Sequence, residues 1–307
     1  MKSILAICAG LALLISAAAA AGNGNSISVD VNQEIVNTCI TDASLAQITE
    51  AESSAFGNYN SIEQTMNLLS ADNSLVEDTA LVQIAVMEGN AFGSFNDVTQ
   101  EVEHMTVEDS CLTMSEVLNG AAMVADAVGC GNEIIQEVDL EDQRNIMTMV
   151  KLSQESDQVA YANGNLNKLE MESEFELEDN CLTMALIMDD IACQISAVGN
   201  ENELNIDADE DISRNSMTNS IVIQKTMQKV NIAGNKNLLG ILTDEIDSEQ
   251  NVKENSFVDG LLLQELELSI AVFGSENTVD EIIDQDVRGN SVVGGGISQK
   301  TYISTNV

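Results

Sequence analysis

The 307-residue chain carries 51 acidic residues against 11 basic ones, a formal net charge of −40. That balance excludes nucleic acid and anionic lipid as partners, because both need Lys or Arg to neutralise phosphate. A hydrophobic content of 44% sets the chain apart from a disordered acidic tail, and the absence of proline lets every residue donate to a β ladder.

The first residues read as a secretory leader. Lys2 supplies the positive start, Ile4 to Ile15 the apolar stretch, and Ala19-Ala20-Ala21 the small-residue cleavage site. Residues 1–21 are therefore expected to be a signal peptide, and residues 22–307 an exported product at the cell surface or outside it. No later segment approaches the roughly 20 apolar residues of a membrane span.

From Gly22 onward a glycine followed three places later by an asparagine recurs eight times. The pairs are Gly22/Asn25, Gly57/Asn60, Gly93/Asn96, Gly129/Asn132, Gly164/Asn167, Gly199/Asn202, Gly234/Asn237 and Gly274/Asn277, at intervals of 35, 36, 36, 35, 35, 35 and 40 residues. A fixed period of this length marks one supersecondary unit repeated in tandem, with repeats starting near 22, 57, 93, 129, 164, 199, 234 and 274. The glycines and asparagines are read as turn and ladder residues.

Each repeat opens with a strand. The fifth residue after the glycine is apolar in all eight copies, and alternation follows, as in Leu169, Met171, Ser173, Phe175 and Leu177 set against Lys168, Glu170, Glu172, Glu174, Glu176 and Glu178. About sixteen residues after the glycine a second polar marker recurs, for instance Asn37, Asn73, Asn145, Asn180, Asn215, Asn255 and Asn290, with Ser110 once. Asx residues make tight turns and tolerate the left-handed conformation, so the unit reads strand, bend, strand, bend.

The predicted fold is all-β: a two-sheet β-solenoid, or amyloid-like stacked array, of tandem strand-turn-strand units. A continuous antiparallel meander is the alternative. Glutamines recur at fixed offsets, Gln64, Gln100 and Gln136 in the first strand and Gln83, Gln154, Gln224 and Gln264 in the second. In-register stacking at about 4.8 Å would let such amides bond along a column; facing water is the other reading.

The second bend carries cysteine in three copies, Cys39, Cys111 and Cys181, and arginine in three others, Arg144, Arg214 and Arg288. Cysteines two coils apart would stand about 9.6 Å from one another, beyond the roughly 7 Å limit for a disulfide. They are candidates for bridges between molecules, or else small buried thiols. The arginines are candidates for inter-subunit salt bridges, or relieve repulsion within their own acidic bends.

Catalytic and metal motifs are not found. His104 has no second ligand at a metal-binding spacing, and Asp207-Ala208-Asp209-Glu210-Asp211 lacks the glycine and terminal glutamate of an EF-hand. No cofactor is expected beyond loosely bound divalent cations, and no enzymatic activity is expected.

Gly57-Asn58-Tyr59-Asn60, Gly199-Asn200-Glu201-Asn202 and Gly234-Asn235-Lys236-Asn237, in a proline-free, aromatic-poor chain behind a leader, carry a resemblance. The mature chain resembles the secreted functional amyloids, distantly the curlin repeats and more closely the major sheath proteins of filamentous methanogenic archaea. The resemblance implies an extracellular, β-rich, resistant tube or fibre without enzymatic activity. The expected partner is a second copy of the chain, together with other cell-envelope components. The alternative is a monomeric acidic β-solenoid acting as an adhesin or cation-binding surface protein.

Overall fold

The computed structural model describes residues 10–36, 39–72, 74–239, 246–279 and 283–306, and among them every regular element is a strand. The first coil shows the pattern. β1 (Gly10–Ala21) lies against its end, β2 (Ser26–Val36) starts it, β3 (Cys39–Thr41) turns the corner, and β4 (Ser44–Phe56) closes it. Later coils repeat this order, the fourth as Glu133–Gln143, Ile146–Thr148 and Lys151–Asn163.

Equivalent strands of successive repeats pair side by side, and every pairing is parallel. The result is a β-solenoid, and the antiparallel meander is ruled out. Among the described residues it has two wide sheets, of 9 and 10 strands, as expected, and a narrow third of 8 three-residue strands at the second bend. The five extra residues of the seventh repeat fall within 240–245, which lie outside the described residues. Pairing resumes at Ile246 opposite Ile206.

Alternation fixes which side chains face inward. Over Glu133–Gln143 the even positions Ile134, Gln136, Val138, Leu140 and Asp142 are buried, while the odd ones are half-exposed. One apolar core, including Met66, Met123, Ile134, Leu169, Phe175 and Ile195, lies between the wide sheets. A second, including Leu112, Met147, Leu182, Met217 and Phe257, fills the corner behind the narrow sheet.

The corners are tight because the chain enters the left-handed region at fixed places. In the fourth coil Arg144 and Met149 have φ of 55° and 56°, and their counterparts Asp179 and Met184 in the fifth have 55° and 52°. The glycine that begins each repeat serves a second purpose. A Cβ on Gly129 would stand 1.6 Å from the carbonyl oxygen of Gly93 one coil below, so the coils approach too closely there for any side chain.

Candidate assembly surfaces and polar ladders

The predicted glycine and asparagine markers form two continuous columns. Gly57, Gly93, Gly129, Gly164, Gly199, Gly234 and Gly274 all adopt positive φ, between 123° and 149°. Beside them Asn60, Asn96, Asn132, Asn167, Asn202, Asn237 and Asn277 bond one to the next. The backbone N–H and the Nδ2 of Asn167 both donate to Oδ1 of Asn202, at 3.0 and 3.1 Å, and Asn60 donates likewise to Asn96. The column is directional, with amide donors toward the C-terminal coil and amide oxygens toward the first.

A second ladder of the same direction holds the other bend, from Asn145 through Asn180, Asn215 and Asn255 to Asn290. On the exposed side of the glycine turn a third runs the opposite way: the N–H of Asn200 donates to Oδ1 of Asn165 at 2.8 Å, and that of Asn235 to Asn200 at 2.9 Å.

The glutamines face the core, not water. Gln136 donates to Gln100, and Gln100 to Gln64, each at 2.8 Å. In the second wide sheet Gln47, Gln83, Asn119, Gln154, Asp189, Gln224, Gln264 and Gln299 occupy one register position in eight successive coils. The sequence reading found four of these residues. Asn119 and Asp189 escaped it because they interrupt a column of glutamines, although their inward phase is visible in the alternation.

Among the described residues three acidic side chains are buried in this interior, and none of them was expected there. Burial pushes the Asp189 carboxyl up to about 7 and Glu210 up to about 8. Burial and the nearby Asp189 charge hold Asp142 well above the ordinary carboxylate range. Glu210 accepts from Thr226 at 2.8 Å and from Gln250 at 2.7 Å. A protonated carboxyl donates one hydrogen bond and accepts others, so an acid can stand in an amide column when neutral.

The outer face of the other wide sheet is acidic. Asp139, Glu174, Asp209 and Glu249 stack at one position, and burial with neighbouring negative charge raises Glu174 and brings Glu141 up to about 7. Among the described residues no group of three His, Cys, Asp or Glu side chains is placed to hold a metal ion, and no helix is long and apolar enough to cross a membrane. The side chain of His104 lies outside the described residues.

Each of the three arginines meets carboxylates of its own chain. Arg144 Nε binds Asp109 Oδ1 at 2.8 Å and its Nη2 meets Glu108; Arg214 repeats this with Asp179 at 2.9 Å and Glu178. Both forks thus close on the preceding coil of the same chain, and Arg288 pairs with Asp286 in its own strand. The physical reason is register: Arg and Asp alternate in one column, so each guanidinium finds its carboxylates one coil away. Cysteine and arginine accordingly do not share a position, as Arg144 neighbours Asp179 while Ile146 neighbours Cys181.

Cys39, Cys111 and Cys181 lie in alternate coils of the narrow sheet's outward row, separated by Leu75 and Ile146. All three are free thiols; Cys39 and Cys181 are exposed and Cys111 half-buried, so they are not the buried residues of the second reading. Cys193 is the buried one, and burial pushes its thiol up to about 12.

No family model matches the chain, and no curated protein matches it. A solved structure described as "a new PL6 alginate lyase complex with trisaccharide" aligns over 93% of this chain and 81% of its own, at 8% identity and a TM-score of 0.13. The expectation that the chain has no enzymatic activity is withdrawn: a likeness this distant supports neither an activity nor its absence.

Proposed function

We propose that the mature chain is an extracellular structural protein that joins copies of itself end to end through its strand edges. The observation that carries this is the last coil. Ile303, Val287 and Val292 occupy inward columns whose preceding members, Leu268, Val252 and Phe257, are fully buried, yet they are themselves 54%, 40% and 42% exposed. An apolar core left open beside an unpaired parallel edge is a template for another strand layer.

The asparagine ladder supplies direction. The backbone N–H at the Asn277 end complements the amide oxygen at the Asn25 end, while the Asn277 Nδ2 turns back to Gly234 O at 3.0 Å, so the contact is head to tail, and a heterologous contact that does not close on itself gives a filament. At the opposite end β1 covers the edge of β4 over twelve register pairs, and removal of residues 1–21 as a leader would uncover that edge.

Light scattering of the chain from Gly22 tests the reading. Growth of polymers with concentration is expected, and Ile303→Asp together with Val292→Asp should stop it while leaving the strand circular dichroism unchanged. Polymerisation that is indifferent to those two substitutions would sink the proposal. The second reading, an acidic solenoid that binds cations, is favoured by the stacked carboxylates around Glu141 and Glu174; saturable calcium uptake by a chain that stays monomeric would select it.

A further inference from the structure

The narrow sheet and its turn carry a second chemistry that stands apart from assembly. The outward row reads Cys39, Leu75, Cys111, Ile146, Cys181, then Ser216, Ser256 and Ser291. The left-handed turn residue that follows each strand reads Asp42, Asp78, Met114, Met149, Met184, Asn219, Asp259 and Gly294. Aspartate, asparagine and glycine tolerate that backbone conformation; methionine has no such advantage. An isolated exposed methionine needs no explanation. Three in consecutive coils, exposed at 44%, 44% and 50% on a chain of net charge −40, do.

Their geometry is nearly identical. The N–H of Met114 donates to Thr148 O at 3.0 Å, that of Met149 to Thr183 O at 3.0 Å, and that of Met184 to Thr218 O at 2.9 Å. With φ of 51°, 56° and 52°, the three side chains leave the backbone alike and repeat at the coil spacing of about 4.8 Å. A closed-shell metal ion bonds sulfur at about 2.3 Å, so one ion between two adjacent thioethers spans about 4.6 Å. Thioether donors select soft ions over calcium, magnesium or manganese, which the carboxylate faces suit better.

We infer that Met114, Met149 and Met184 form a binding row for a soft monovalent cation of the copper(I) class, held between thioethers of neighbouring coils. Cys111 and Cys181, three residues before Met114 and Met184, lie outside the row on the same coils, and their thiols compete for the same class of ion. The surrounding negative field favours a cation of any kind, and the sulfur row chooses which.

The test uses silver(I) as a redox-inert probe. The full chain, with the exposed Cys39, Cys130 and Cys181 and the half-buried Cys111 changed to Ser so that their thiols do not compete, is labelled at its methionine methyl groups and titrated. The methyl signals of Met114, Met149 and Met184 should shift together and saturate. Those of buried Met66, Met123 and Met147 should not, nor should that of Met227, which lies alone between Ala192 and Glu267. Met149→Leu leaves Met114 and Met184 about 9.6 Å apart, too far for one ion to bridge, and should weaken binding at least ten-fold; Met114→Leu keeps an adjacent pair and should cost less. Met149→Gln gives the same reading should leucine disturb the fold. The inference is overturned if no saturable shift occurs, if Met227 responds as strongly as the row, or if the Met149 variants bind no worse than Met114→Leu.

Discussion

Replacing Asp189 with Asn tests the buried amide column where it is most sensitive. Asp189 is 3% exposed, between Gln154 in the preceding coil and Gln224 in the next, and Asn119 shows that an Asn fits the same column. Its carboxyl moves from an ordinary value of 3.8 to about 7, chiefly through burial. At roughly 1.36 kcal/mol per pH unit, that difference amounts to about 4 kcal/mol. The folded chain holds the proton more tightly than the unfolded one. Stability is therefore fully present below pH 3.8, falls as pH rises, and levels off above about 7. Asp189→Asn removes this loss. In the assembly-blocked background carrying Ile303→Asp and Val292→Asp, urea unfolding should show a gain approaching about 4 kcal/mol at pH 8 that shrinks toward zero near pH 4. A variant with the same effect at both pH values, or one less stable at pH 8, would refute the reasoning.

Glu210→Gln should act with the same sign over a higher window, between 4.5 and about 8, because Gln can keep one bond to Thr226 or Gln250; unfolding at pH 6 and 9 checks it. Asn167→Ala removes the acceptor of two buried donors of Asn132 and should cost about 2 kcal/mol or more, whereas Asn165→Ala on the exposed ladder should cost under about 1 kcal/mol. Gly129→Ala combines a disfavoured φ with a Cβ 1.6 Å from the carbonyl oxygen of Gly93, a clash that only movement of the backbone relieves. A loss above about 3 kcal/mol is expected, with hydrogen exchange rising first at the third and fourth coils.

Much of this architecture was legible because a solenoid turns sequence period into spatial adjacency. The glycine and asparagine spacing gave the coil length, and the alternation around Leu169 to Leu177 gave the wide sheets. The narrow sheet was not legible: Cys111-Leu112-Thr113 is too short for a period of two to be told from a bend. Ladder position and burial were also separate questions. The recurrence of Gln64, Gln100 and Gln136 showed the column, while the direction each amide faced depended on strand phase, which Ile134, Val138 and Leu140 fix. Asp142 follows those residues in the same phase, so its burial was available from the pattern and was obscured by the abundance of acid around it. Arg144 and Arg214 were harder, since their carboxylates lie 35 and 36 residues back and only register brings them together.

Fibre diffraction from polymers of the chain beginning at Gly22 bears most directly on end-to-end stacking. If coils continue from one molecule into the next, strands lie across the fibre and a reflection near 4.8 Å falls on the meridian. Fibres that put this spacing on the equator, or a chain that stays monomeric at high concentration, would contradict the account.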